Sequence, residues 1–260
     1  MNGPTEKKEI YHLTVENQGP WVTLINGHAR THLDFKILSK KLADAGFSVL
    51  LLDNRGSGKS FTMEAFTIED MAQDVKNLWE KLGIHESYLL GISMGGLIAQ
   101  SIATTSKTPK ALVLTSTTAS QLHYLLPFTE WSHTIQELRE QLRPYFFSDF
   151  FEKNPLLVNA MAKLLISTEN SDSRSQNIRQ RQAISKFRID ELDLSVIKIP
   201  TLIIHGENDG VISVAAAEEI SKRIPGSRKM IYPNTGHLIL AEKPSEFYKD
   251  ITAFFTSLNE

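Results

Sequence analysis

Gly91-Ile92-Ser93-Met94-Gly95, followed by Gly96, forms a G-x-S-x-G pattern where an apolar strand gives way to a helix. A serine there sits on a sharp, strained turn with its hydroxyl raised above the sheet, and small residues on either side let strand and helix backbones approach. The turn also places Ser93 at a helix N-terminus, where free N–H groups and the dipole favour negative charge, the Met94 N–H being the first oxyanion donor. A serine hydroxyl is a weak nucleophile at its free pKa, so it needs a base and a group to orient that base. His237, in Asn234-Thr235-Gly236-His237, and Asp209, in His205-Gly206-Glu207-Asn208-Asp209-Gly210, are the candidates. The expected chemistry is acyl transfer through a covalent acyl-serine.

Taken singly, Asp209 before Gly210 also fits a turn, and His237 after Gly236 also fits a surface loop. Neither reading explains why all three residues follow strands in the order Ser, Asp, His. Glu207 is a rival acid but lies closer to its strand, and the loop after Thr115 holds no acid through Gln121. Two other patterns fail. Gly56-Ser57-Gly58-Lys59-Ser60 ends like a phosphate-binding loop, but Asp53 stands where that loop needs its first glycine. His28 and His32 are spaced as H-x-x-x-H, yet Ala29 replaces the glutamate of a zinc helix, so no metal site is expected.

The elements that must position these residues alternate between two periods. Ile10–Val15, Trp21–Ile25, Ser48–Asp53, Ser87–Ile92, Ala111–Thr115, Thr201–His205 and Lys229–Tyr232 read as strands, with Ser48–Asp53 nearly continuous in apolar residues and so expected to be buried on both faces. Asp34–Ala45, Ile68–Leu82, Leu97–Ala103, Val214–Arg223 and Ser245–Phe255 read as helices. This rhythm predicts an α/β fold with a mostly parallel sheet flanked by helices. It lapses between about Thr118 and Ser195, where the pattern is helical and aromatic. Residues 1–117 and 196–260 are therefore expected to form the core, with 118–195 inserted as a helical cap over the sheet's carboxyl edge.

A chain of 260 residues can bury a core without disulfides, and it contains no cysteine, which removes thiolate chemistry and fits a reducing cytoplasm. The formal net charge of −2 gives no overall field for nucleic acid or anionic lipid. No apolar run approaches the ~18 residues that span a bilayer, and the first residues lack the apolar stretch of a signal peptide.

On these motifs the chain resembles the α/β-hydrolase superfamily along nearly its full length. Asp53-Asn54-Arg55-Gly56-Ser57-Gly58-Lys59-Ser60 is similar to that family's D-x-R-G-x-G-x-S loop, and Glu242-Lys243-Pro244-Ser245-Glu246-Phe247 to its E-x-P-x-x-F. Where the family has a His-Gly pair, this chain has Asn26-Gly27, so the second oxyanion donor implied by the resemblance is the His28 N–H. The N-terminal end has room for only a reduced version of the family's first two strands. The resemblance implies a serine hydrolase without cofactor, cleaving a small-molecule ester or lactone. Carboxylic esters are expected first and enol-lactones second, with proline iminopeptidases and carbon–carbon bond hydrolases sharing the machinery. A slow-turnover ligand receptor is the alternative from another class. Leu122, Phe128, Trp131 and Phe147 are candidate substrate contacts within a larger apolar set that also packs the cap. Arg174, Arg179, Arg181, Lys186 and Arg188 form a basic run read as a solvated helix face, or else as a dock for an acidic carrier protein.

Overall fold

The computed structural model describes residues 9–126, 131–132, 134–168 and 171–258. Its centre is a seven-stranded sheet: β1 (His12–Val15), β2 (Trp21–Ile25), β3 (Ser48–Leu52), β4 (Ser87–Ile92), β5 (Pro109–Thr115), β6 (Thr201–Gly206) and β7 (Arg228–Tyr232). The spatial order is β1-β3-β2-β4-β5-β6-β7, with β1 antiparallel to β3 and every other pair parallel. Strands β3, β4 and β6 are buried at every position, as the nearly continuous apolar run predicts for β3, while the edge strand β1 alternates between half-buried and exposed.

The strands' period of two divides the core. Leu50, Leu52, Leu89, Leu112, Leu114 and Ile203 point to one face. Val49, Leu51, Leu90, Val113, Leu202 and Ile204 point to the other. The first face is covered by α2 (Ile68–Leu82), α3 (Met94–Thr105) and α8 (Ala215–Arg223), through residues such as Val75, Leu97 and Ile220. The second is covered by α1 (Lys36–Asp44) and α9 (Pro244–Thr256), through Leu38, Leu42, Phe247, Ile251 and Phe255. Helix α2 starts at a capping box, Thr67 accepting from the Asp70 N–H while Asp70 accepts from the Thr67 N–H. The segment before α1 departs from the sequence expectation. His32–Phe35 forms a tight single turn, and the α-helix begins at Lys36 rather than Asp34. The Asp34 carboxylate is engaged by Arg30 and Asn26, which holds that turn.

Between β5 and β6 lie α4 (Ile135–Leu142), α5 (Ser148–Lys153), α6 (Pro155–Thr168) and α7 (Ser171–Lys186). They do not share one core. Leu138, Leu142, Phe146, Phe151, Val158 and Ala162 make a separate cluster, whereas Ala183, Ile184, Phe187 and Ile189 pack into the main sheet's cluster. Arg223 of α8 spans both ends of this block, donating to the Ala119 carbonyl and to the Leu192 carbonyl at 2.5 Å.

Backbones approach closely at the β4–α3 junction, where a side chain on Gly91 would run into the Gly95 carbonyl, and one on Gly95 into the Ile25 carbonyl. Gly91→Ala is expected to cost about 1–3 kcal/mol or more, because both partners are backbone and cannot rotate aside. Urea unfolding of the variant beside the wild type measures this.

Candidate active site

Ser93 follows β4 with φ of +54° and ψ of −117°, and α3 begins at the next residue. A non-glycine residue stays in such a conformation only when its surroundings hold it. Here the Ser93 N–H donates to the Thr115 carbonyl (2.9 Å), while the Ser93 carbonyl accepts from the Gly96 N–H and Thr117 Oγ1 (2.8 Å each). As the first residue of α3, Met94 has no acceptor for its N–H inside the helix.

Register brings the other two residues to the same edge. In the β6–β7 pair Gly206 lies opposite Tyr232, and the loops beyond are joined where Asn208 N–H meets the Thr235 carbonyl at 2.9 Å. Asp209 Oδ2 accepts His237 Nδ1 at 2.7 Å, and His237 Nε2 lies 3.1 Å from Ser93 Oγ. The carboxylate can only accept, so Nδ1 carries the proton and Nε2 offers its lone pair to the serine hydroxyl. The Ser93–His237–Asp209 set expected from sequence is thus one hydrogen-bonded chain.

Asp209 is buried, and burial alone would raise its pKa. His237 and His205 outweigh that and hold the carboxyl well below the usual range. Its Oδ1 also accepts the Val211 and Ile212 N–H groups (2.8 and 2.9 Å). Glu207, the rival acid, is exposed and faces the Asn234 N–H. His205 was not anticipated. Its Nε2 sits 3.0 Å from the Ile212 carbonyl and 3.2 Å from Asp209 Oδ2, so it donates to this pair of acceptors and braces the acid. The spacing His205-x-x-x-Asp209 at a strand end was the available signal.

The histidine loop is held from the helical block. Tyr145 carbonyl accepts the His237 and Leu238 N–H groups (2.9 and 3.1 Å), and the Tyr145 ring meets the imidazole edge-on at 5.8 Å. Buried Glu242 accepts the Gly236 N–H at 2.9 Å and the Phe147 N–H at 3.0 Å, joining the loop to the block. Burial pushes the Glu242 carboxyl up to about 7.

Asn26, which stands where the resemblance expects histidine, shapes its loop with its own amide. Nδ2 donates to the Thr31 carbonyl and Asp34 Oδ2 (2.8 Å each), and Oδ1 accepts the Gly27 N–H at 2.8 Å. Gly27 passes so close to Ser93 that a Cβ there would lie 3.3 Å from the serine Cβ. The His28 ring is half-buried with Nε2 on the Asn177 carbonyl at 3.1 Å, and desolvation lowers its pKa to about 4. It is therefore neutral at pH 7.

A cavity of about 480 Å³ lies over Ser93 and His237. Trp131 lines it together with Tyr124, Leu126, Leu142, Met161 and Leu165. Leu122 does not: it is 89% exposed, on a segment whose neighbour Tyr124 pairs with Ile212 and turns inward. Phe147 is also absent from the lining, its backbone being drawn to Glu242 behind the histidine loop. Phe128 lies outside the described residues. The basic run is divided, with Arg181 lining the cavity and Arg188 on the surface beside Glu191. Among the described residues no cluster of His, Asp and Glu is placed to hold a metal ion, and no helix is long and apolar enough to cross a membrane.

The chain shares this sheet with known proteins. It belongs to the α/β-hydrolase superfamily, in the family described as serine aminopeptidase, S33, which matches residues 18–244. The chain is 26% identical to 3-oxoadipate enol-lactonase 1 of Acinetobacter baylyi over 82% of its own length and 80% of the relative's. Among solved structures, the hydrolase MGS-M2 from a deep-sea metagenome library superposes with a TM-score of 0.82 at 20% identity, covering 95% of this chain and 94% of that one. The enol-lactonase of Burkholderia xenovorans LB400 does so with a TM-score of 0.77 at 24% identity, covering 95% and 96%.

The Glu242 shift sets a sign for pH. A carboxyl whose folded pKa is raised contributes stability that is whole below its ordinary value of 4.5 and is lost as pH rises through about 7. Wild-type Tm is expected to fall between pH 5 and 8 more steeply than that of Glu242→Gln. Parallel curves from thermal unfolding across that range would refute the assignment.

Proposed function

We propose that the protein is a carboxylic-ester hydrolase working through Ser93, His237 and Asp209. The observation that carries this reading is the unbroken chain from Asp209 Oδ2 through His237 to Ser93 Oγ in the wall of a mainly apolar cavity. As Ser93 Oγ attacks the ester carbonyl, His237 Nε2 takes the hydroxyl proton, and Asp209 holds the ring and stabilises its charged form. The carbonyl oxygen becomes an oxyanion facing the Met94 and His28 N–H groups, each worth about 3 kcal/mol by analogy with measured donors. Collapse expels the alcohol, which takes the proton from His237. Water, deprotonated by the same nitrogen, then releases the acid and restores the serine. No cofactor enters. In this reading residues 118–195 are the helical cap on a core of 1–117 and 196–260, and the apolar walls they contribute favour esters with an apolar acyl or alkyl part.

The sequence similarity to an enol-lactonase favours a second reading in which the ester is cyclic. The same steps then open a ring, and the leaving oxygen stays attached to the acyl group.

A p-nitrophenyl ester series from acetate to decanoate, run beside the lactone dihydrocoumarin, separates the two. Ester turnover with a chain-length optimum supports the first reading, and turnover of the lactone alone supports the second. Ser93→Ala is expected to lower kcat by about 10⁴-fold or more with folding intact, and near-wild-type turnover would sink both. Asp209→Asn is expected to fall steeply and Glu207→Gln to stay near wild type; the reverse would make Glu207 the acid.

A further inference from the structure

Helix α7 carries two glutamines one turn apart, Gln176 and Gln180, both buried (4% and 0% exposed). Buried amides must find hydrogen-bond partners inside the protein, and these two find different ones. Gln176 clips a single backbone position, donating to the Thr62 carbonyl at 2.6 Å and accepting the Thr62 N–H at 3.2 Å. Gln180 bridges two loops. Its Nε2 donates to the Arg55 carbonyl (2.9 Å) and Ser57 Oγ (2.7 Å), while its Oε1 accepts the Ala29 N–H at 2.8 Å. Ala29 has a φ of +58°, which an L-residue keeps only under constraint.

Three successive amides give this contact its meaning. The Gly27 N–H is held by Asn26 Oδ1, and the carbonyl of the same peptide accepts Asn54 Nδ2 at 2.8 Å. The Ala29 N–H is held by Gln180. Between them lies the His28 N–H, which the proposed function assigns to the oxyanion, and this inference rests on that assignment. Peptide units are rigid planes joined by two torsions at each residue, so holding the planes on both sides limits where the middle N–H can point. The His28 ring is tied to the same helix through Asn177.

We propose that Gln180 is a positioning residue: from α7 it holds the Ala29 amide and so aims the His28 N–H at the oxyanion above Ser93. The oxyanion hole is then completed by a helix of the 118–195 block, not by the core loops alone.

The test uses phosphonylation of Ser93 by an alkyl fluorophosphonate, followed by mass spectrometry, alongside ester kinetics. Gln180→Met fills similar space without hydrogen bonds. It is expected to slow labelling and kcat by about tenfold to a hundredfold, less than loss of a whole oxyanion donor, with KM changed by less than about threefold. Gln176→Met loosens the same helix from Thr62 and is expected to hold both rates within about threefold. Gln180→Glu keeps an acceptor for the Ala29 N–H and is expected to recover most of the lost rate.

Unchanged labelling in Gln180→Met, equal losses in both methionine variants, or a loss confined to KM would each overturn the inference. If Gln180→Met fails to fold, Ser57→Ala, which removes one partner of the Gln180 amide, should still slow labelling by about twofold to fivefold. Unchanged labelling there also overturns it. A wild type that is not labelled at Ser93 overturns the reading of the site and this inference with it, whereas a labelled wild type matched by Gln180→Met overturns the inference alone.

Discussion

The 2.7 Å hydrogen bond between Asp209 Oδ2 and His237 Nδ1 joins loops that follow different strands, and it depends on keeping a carboxylate charged inside the protein. Removing that charge from water is costly, so it persists only where donors replace the lost hydration. Four do so: the backbone N–H groups of Val211 and Ile212, and the rings of His205 and His237. Three of these belong to β6 or the loop that follows it, and His237 reaches the carboxylate because parallel pairing of β6 and β7 sets both loops at one edge in fixed register. Loosening that register would separate the acid from the imidazole and leave a buried charge without its chief partner.

Ser93 meets this pair from β4, two strands away in the sheet, and its φ of +54° is held by neighbours on β5 and α3. The backbones of Gly91, Gly95 and Gly27 crowd the same point, so local strain is set against the packing of the most deeply buried strands. Nothing at this junction can move far alone, which suits a reaction that needs its atoms held to within fractions of an ångström.

The block between β5 and β6 is attached to these loops by directed bonds as well as by apolar contact. Tyr145 and Glu242 link it to the histidine loop, and Asn177 and Gln180 link it to the Asn26–Arg30 loop. The cavity of about 480 Å³ lies between those two attachments. Any shift of the block would therefore change both the cavity's shape and the geometry of the groups beneath it.

The strand and helix order, the edge at which Ser93, Asp209 and His237 meet, and the special turn at Gly91–Gly95 were all legible in the sequence, because each rests on local rules. A two-residue or 3.6-residue period needs only neighbours, and strand-end loops in a parallel sheet share an edge whatever the packing details. The inner face of the 118–195 block was not legible. Leu122 and Tyr124 are two residues apart and both apolar enough to bury, yet only Tyr124 lines the cavity, because pairing with Ile212 turns that segment. Gln176 and Gln180 likewise read as ordinary polar residues until partners from distant segments surround them. Local periodicity decided which elements exist; only tertiary packing decided which polar side chains are buried, since that depends on hydrogen-bond partners far away in the chain.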